Sequence, residues 1–200
     1  MRRASIAAII LAAGESKRMR RPKQLIKWHG RALIEHVTQQ AVDAALKPVV
    51  VVIGHHADEV RAALNHPLAT VVHNPDWPEG MSTSVRSGVA ALTLDIDAAV
   101  FLLIDQPRVD AAHIKAMITM YHNSGKPIIV SSYKGRRSSP TLFDRSFFEQ
   151  LMHASGDSGG RAIIKANPER VASVEAADGS TLVDIDTPET LRRELESESE

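Results

Sequence analysis

"IAAIILAAGESKRMRRPKQL", residues 6–25, runs from an unbroken apolar stretch into a segment holding three Arg, two Lys and Gly14. A strand covered on one face alternates apolar and polar residues. Ile6–Leu11 does not alternate, so it reads as a parallel strand buried on both faces. In an open α/β sheet the carboxyl ends of the strands are where ligands bind, and the basic segment begins where this strand ends. The stretch therefore predicts a fold and the place of its chemistry together.

Working outward, similar apolar runs recur at Val49–Ile53, Ala98–Ile104 and Ile128–Val130, with a weaker one at Thr70–Val72. Between them Leu33, Val37, Ala41 and Ala44 repeat at three- and four-residue steps, as do Ile114, Met117 and Tyr121. Alternating strand and helix predicts an α/β fold with a single doubly wound, mostly parallel, Rossmann-like sheet. The first helix closes before Pro48, and "HNPDWPEG" (73–80) is a loop leading into a helix that starts near Met81. After residue 131 the order changes. "KGRRSSP" (134–140) reads as a polar loop, Phe147, Phe148 and Leu151 as a short helix, and "SGDSGGR" (155–161) as a flexible connection. This half reads as inserted, substrate-side structure. Leu182–Ile185 reads as a short strand, followed by a helix with Thr187 as N-cap and Pro188 at its first position. One domain over 1–195 and an acidic disordered tail over 196–200 complete the expectation.

Lys+Arg and Asp+Glu balance at 24 each, so any electrostatic function is local, and the aromatic content of 4% speaks against a base-stacking nucleic-acid surface. The absence of cysteine excludes disulfides, thiolate nucleophiles and Cys-ligated metal centres. The N-terminus "MRRASIAAIILAAG" has the outline of a signal peptide, but its short apolar run leads into "GESKRMRRPK", a poor start for a mature chain. No segment approaches the roughly 18 apolar residues of a membrane span, so the expectation is a soluble cytoplasmic protein without membrane or nucleic-acid partners.

Backbone N–H groups over Gly14–Lys23, with Arg18 and Lys23 beside them, suit an anionic group such as a triphosphate. A solvated loop with scattered cations fits the charges equally well. Both common phosphate-binding glycine fingerprints are absent. "AVFLLI" runs directly into Asp105, Gln106 and Pro107, placing a carboxylate in the same crevice, where it suits a hard cation. Helix capping is the alternative, although Asp110 stands closer to the next helix. "VDIDTPE" puts Asp184 and Asp186 on one face of a strand, as a second metal ligand or as turn and cap chemistry. "GMSTSVRSG" (80–88) offers Ser82, Ser84 and a helix N-terminus. His55 and His56, being adjacent, are expected to point apart, which disfavours a shared metal. A nucleophile elbow and a Ser/His/Asp set are both missing.

Six segments in order, "LAAGESKRMRRPKQLI", "NPDWPEGMSTSVRSGVAAL", "LLIDQPRV", "GRRSSPTLF", "SGDSGGRAII" and "VDIDTPETL", resemble the molybdenum cofactor cytidylyltransferases, of the nucleotide-diphospho-sugar transferase fold. The likeness covers nearly the whole chain. It implies a Mg²⁺-dependent transfer of CMP from CTP to the phosphate of the molybdenum–molybdopterin cofactor, with release of pyrophosphate. It also implies roles. Leu11, Ala12, Ala13 and Gly14 would lie against the nucleotide base, Arg18 and Lys23 would hold the triphosphate, and Gly80, Ser82 and Ser84 would contact the nucleoside. Asp105 and Asp186 would bind Mg²⁺, Asp105 acting with Arg18 and Lys23 in catalysis. Ser139, Asp157 and Arg161 would face the acceptor, and a molybdoenzyme or its insertion chaperone would be the partner protein.

The chain departs from the family pattern in three places, the third a pair of residues. Arg20 and Ile104 stand where glycines are usual, and Ser138 and Ser139 replace a Gly-His pair. The glycines imply a close approach or a positive φ, so an altered loop is expected around Arg20 and Ile104. The serines leave open a related transferase with another nucleotide or another phosphorylated acceptor. A non-catalytic nucleotide- or pterin-binding protein is the alternative from a different class, and retention of Arg18, Lys23 and Asp105 together argues against it.

Overall fold

The structure, a computed structural model, describes residues 4–197. In chain order its elements are β1 (Ile6–Ala12), β2 (Lys27–Trp28), β3 (Arg31–Ala32), α1 (Leu33–Asp43), β4 (Val49–Ile53), α2 (Ala57–Ala63), β5 (Ala69–His73), α3 (Met81–Ala90), β6 (Ala98–Leu103), α4 (Ala111–Ser124), β7 (Ile128–Tyr133), β8 (Arg136–Asp144), α5 (Phe148–Met152), α6 (Arg161–Ala166), β9 (Val171–Glu175) and α7 (Pro188–Glu196). Of the acidic tail expected at 196–200, Glu196 closes α7, and residues 198–200 lie outside the described residues. Among the described residues no helix is long and apolar enough to cross a membrane.

Seven strands form one sheet in the order β5-β4-β1-β6-β8-β7-β9. β1 pairs in parallel with β4 and β6, β4 with β5, and β7 with β9, while β8 runs antiparallel to both β6 and β7. β1 is central and wholly buried because each face meets a layer of helices. Ile6, Ala8, Ile10 and Ala12 join a core with Leu33, Ile34 and Val37 of α1, Ile114 and Met117 of α4, and Leu191 of α7. Ala7, Ile9 and Leu11 join a second core with Val85 and Val89 of α3, Phe148 and Leu151 of α5, and Ile163 of α6. The apolar run at 6–11 is thus the two-sided burial that its lack of alternation requires. A Cβ at Gly88 would lie 2.4 Å from Ile9 Cγ2, so α3 sits against β1 only because a glycine faces it.

The first half of the chain follows the expected elements, and Thr187 caps α7 by accepting from the Thr190 N–H at 3.2 Å. The second half corrects the expectation of an inserted unit, since β7, β8 and β9 extend the same sheet. "KGRRSSP" is not a loop beyond Gly135. Arg136–Ser138 pair with Tyr133–Ser131 past the edge of the core, where polar side chains satisfy a strand as well as apolar ones do. Leu182–Ile185 is not a strand either. Asp178 accepts from the Ser180 and Thr181 N–H groups to form a 3₁₀ turn over Gly179–Leu182, and the segment then meets the end of β6 through a backbone bond, Ile185 N–H to the Asp105 carbonyl at 2.7 Å, in place of a strand ladder.

Candidate active site

β1 and β6 lie side by side in parallel, Leu11 opposite Leu103, and so deliver residues 13–25 and Ile104–Asp105 to the same edge of the sheet. A cavity of about 420 Å³ opens there. Of the residues singled out in the sequence, Leu11, Ala13, Gly14, Arg18, Lys23, Gly80, Ser84, Asp105, Asp157 and Asp186 line it. Gly14 lines the cavity, and a Cβ built on it would meet no protein atom within 4 Å, so the space beside it is open.

The basic segment is held in place by backbone and buried amide bonds. The Met19 N–H donates to the Ser16 carbonyl at 2.9 Å, and Met19 anchors this 3₁₀ turn in the core. Ser16 and Arg20 flank the turn with φ of 61° and 55°, so Arg20 carries the left-handed conformation that the usual glycine would adopt. Ile104 has no such strain: it is buried in the core and is not a positive-φ residue. Gln24, 1% exposed, donates from Nε2 to the carbonyls of Ala12 at 2.7 Å and Gly14 at 3.0 Å, joining the strand end to the loop.

Charge converges on Lys23. Its Nζ lies 2.9 Å from Asp105 Oδ2 and 2.6 Å from Asp186 Oδ1, while Arg18 reaches Asp186 Oδ2 at 2.7 Å. Burial by itself works against the Lys23 ammonium. The Asp105 charge and the bonds from Asp186 and Asp105 outweigh it, so its pKa stands above the ordinary lysine value. Burial likewise works against charge on Asp186, but Lys23 and Arg18 hold its pKa below the usual aspartate value. Asp184 takes the other direction, pushed up by burial and then by the Asp105 charge, and accepts from Gln106 Nε2 at 2.9 Å. The side chain of Arg18 is 70% exposed against 10% for Lys23, so water screens Arg18 far more.

A divalent cation fits this arrangement. Asp105 lines the cavity, and its Oδ1 is buried without a hydrogen-bond partner, so this carboxylate keeps an unmet demand for positive charge. Hard oxygen donors suit Mg²⁺ or Mn²⁺. Among the described residues no group of three or more His, Cys, Asp and Glu is placed to hold a metal. Such a cation would therefore take part of its shell from a phosphate-bearing ligand and water, the usual habit of Mg²⁺.

The opposite wall comes from the loop before α3 and the start of that helix. Asn74 donates from Nδ2 to Thr83 Oγ1 at 2.8 Å and Ser84 Oγ at 2.9 Å, tying α3 to the end of β5. The α3 N-terminus is in turn covered by residues 156–157. The Met81 N–H donates to Asp157 Oδ1 at 3.2 Å, and the Ser82 hydroxyl donates to the Gly156 carbonyl. Ser82 is buried behind this contact and does not line the cavity, and neither does Ala12. Ser139 lies on β8 and the exposed Arg161 begins α6; the structure does not bring either into the cavity. His55 and His56 do not point apart: the left-handed φ of 55° at His56 stacks the two rings at 4.1 Å, with Trp77 4.9 Å from His55.

Sequence reasoning passed over Gln24, Trp77, Pro78 and Met81, all of which line the cavity. Each falls inside a quoted motif, and the signal available for Gln24 is its place next to Lys23 in the basic segment.

The chain is 31% identical over 199 residues to the nicotine blue oxidoreductase of Paenarthrobacter nicotinovorans, covering 95% of this chain and 96% of that protein. It is 30% identical to the purine catabolism protein PucB of Bacillus subtilis (94% and 95% covered). It is 25% identical to the molybdenum cofactor cytidylyltransferase of Escherichia coli (92% and 93%). The crystal structure of Rv0371c from Mycobacterium tuberculosis superposes with a TM-score of 0.86 at 27% identity, covering 98% of this chain and all of that one. A manganese complex of the same mycobacterial protein gives a TM-score of 0.81 at 27% identity, covering 97% of this chain and all of that one. Residues 8–171 match the model of the MobA-like NTP transferase domain, and the chain belongs to that family of nucleotidyltransferases.

Proposed function

We propose that the protein transfers CMP from CTP to the phosphate of the molybdenum–molybdopterin cofactor and releases pyrophosphate. The observation that carries this reading is the cluster of Lys23, Arg18, Asp105 and Asp186 at the carboxyl ends of β1 and β6, with one Asp105 oxygen unpaired. An acceptor phosphate oxygen attacks the α-phosphorus of CTP, a new P–O bond forms, and the bond to the bridging oxygen breaks as pyrophosphate leaves. Both reactants are anionic, so positioning and charge neutralisation are the main tasks. A phosphate monoester with a second pKa near ~6 is already largely ionised at neutral pH, so no side chain has to act as general base.

In this reading Lys23 and Arg18 hold the triphosphate. Leu11, Ala13 and Gly14 face the base, and Gly80 and Ser84 face the nucleoside. Ala12 and Ser82 act from behind, Ala12 through Gln24 and Ser82 through Gly156. Asp105 and Asp186 would hold Mg²⁺, which supplies Lewis-acid neutralisation of the phosphate charge. Asp157 covers the start of α3 on the acceptor side, with Ser139 and Arg161 farther out. The reading keeps a cytoplasmic enzyme that hands its product to a molybdoenzyme or its insertion chaperone.

Ser138 and Ser139, together with the higher identity to the two relatives bearing other names, favour a second reading, nucleotidyl transfer to a different phosphorylated acceptor. One screen separates the two: pyrophosphate release from each of the four NTPs with Mg²⁺, with and without molybdopterin. Release from CTP only when molybdopterin is present supports the first reading. Release that needs another nucleotide or another acceptor supports the second. Silence throughout, with oxidation of a nicotinamide cofactor instead, overturns both.

A further inference from the structure

The Lys23 ammonium occupies a particular place. Its Nζ bridges Asp105 Oδ2 at 2.9 Å and Asp186 Oδ1 at 2.6 Å, two carboxylates that both line the cavity. A divalent ion shared by those oxygens would bind each at about 2.1 Å and would need the same place. The two cannot be there together. Charge points the same way. Lys23 and Arg18 are the cations paired with Asp105 and Asp186, and the nearby Asp184 adds a further acidic group. When a triphosphate draws both cations to itself, the two carboxylates are left uncompensated in a half-buried site, and a doubly charged ion restores the balance.

We propose that Lys23 is a placeholder cation, which fills the divalent-ion position in the ligand-free protein and yields it when it moves onto the triphosphate. This rests on the reading that the cavity takes a nucleoside triphosphate together with a divalent ion. The consequence is that nucleotide and metal bind as one coupled event. The ligand-free protein has little affinity for the ion alone, because the ion must first displace a buried ammonium that keeps two charge-assisted bonds.

The test uses Mn²⁺ alone and the full chain, without nucleotide or turnover, so failure of the proposed reaction does not decide it. Mn²⁺ binding is measured by electron paramagnetic resonance, and the rise in Tm with added Mn²⁺ is measured alongside it. Lys23→Met is expected to bind Mn²⁺ about tenfold more tightly than wild type, within the usual range of coupling between two sites. Arg18→Met removes the same charge from the same Asp186 but leaves Nζ in place, and is expected to gain far less. The gain disappears in the double variant Lys23→Met, Asp105→Asn. Equal affinity in wild type and Lys23→Met overturns the proposal, and so does an equal gain in Arg18→Met, which would reduce the effect to net charge. Should Lys23→Met fail to fold, Lys23→Gln is measured against the same expectations.

Discussion

Lys23 Nζ lies 2.6 Å from Asp186 Oδ1, although 163 positions separate the two residues in the chain. The contact joins the loop after the first strand to the segment before the last helix, and the Ile185 N–H bond to the Asp105 carbonyl fixes that segment against the end of β6. The site is therefore assembled from both ends of the chain around one buried ammonium. Its integrity depends on α7 docking as much as on the basic loop.

Asp105→Ala is expected to lower pyrophosphate release by about a thousandfold or more, the scale of losing a charge-stabilising group at a phosphoryl centre. The side chain stands at a strand end and is not part of the apolar core, and Lys23 keeps its bond to Asp186. The far-UV spectrum and Tm should stay close to wild type. Turnover within about tenfold of wild type would remove Asp105 from the reaction.

Gly80 has φ 112° and ψ 172°, and a Cβ there would lie 2.7 Å from Asp157 Oδ1 and 2.8 Å from the Gly156 carbonyl carbon. Gly80→Ala meets both a backbone penalty and a clash with the segment covering α3, and should cost about 2–4 kcal/mol. Denaturant unfolding measures the cost. Unchanged stability would mean that residues 156–157 do not rest on α3 in solution.

Arg20→Gly should stabilise the protein. Relief of the left-handed backbone at φ 55° outweighs the extra freedom of glycine in the unfolded chain, leaving about 0.5 kcal/mol. Tm is expected to rise by about 1–2 °C. Arg20→Ala removes the same side chain without relieving the backbone and should show no gain. A gain in both variants would assign the effect to charge.

His113 is buried on α4 and places Nε2 2.8 Å from Ser131 Oγ, which donates to the Pro140 carbonyl at 3.0 Å. Burial lowers its pKa, against a smaller upward pull from Asp110. Below the unfolded histidine value of about 6.5 the unfolded chain takes up a proton that the folded chain refuses, so stability present above that pH is lost as pH falls toward the folded pKa. The slope cannot exceed ~1.4 kcal/mol per pH unit for one proton. His113→Gln keeps a donor and cannot titrate. The stability advantage of wild type over this variant should shrink between pH 7 and 5.5, and a constant difference would contradict the assignment.

The first half of the fold was legible because its strands are buried on both faces and its helices show clean periodicity. Polar strands carry no such mark. Ser138 lies in β8 because Ser131 pairs with it, a fact about a neighbour and not about its own hydrophobicity. At the site, Asp105 was legible because it follows a buried run directly, and Lys23 because it belongs to the basic segment that begins where the first strand ends. Asp186 was named on a strand that does not form, yet it reaches the cluster because the chain is pinned one residue earlier, at Ile185. Gln24 was missed because its function is to bond two backbone carbonyls, and composition says nothing about carbonyls.

The most direct measurement follows the α-phosphorus itself: CTP labelled at that atom is incubated with Mg²⁺, molybdopterin and the protein, and the products are separated. Label is expected to move from CTP into the pterin product in step with unlabelled pyrophosphate, and Asp105→Ala is expected to abolish the transfer. Label that stays in CTP, or CMP that appears free at the same rate with and without the acceptor, would contradict the proposed reaction.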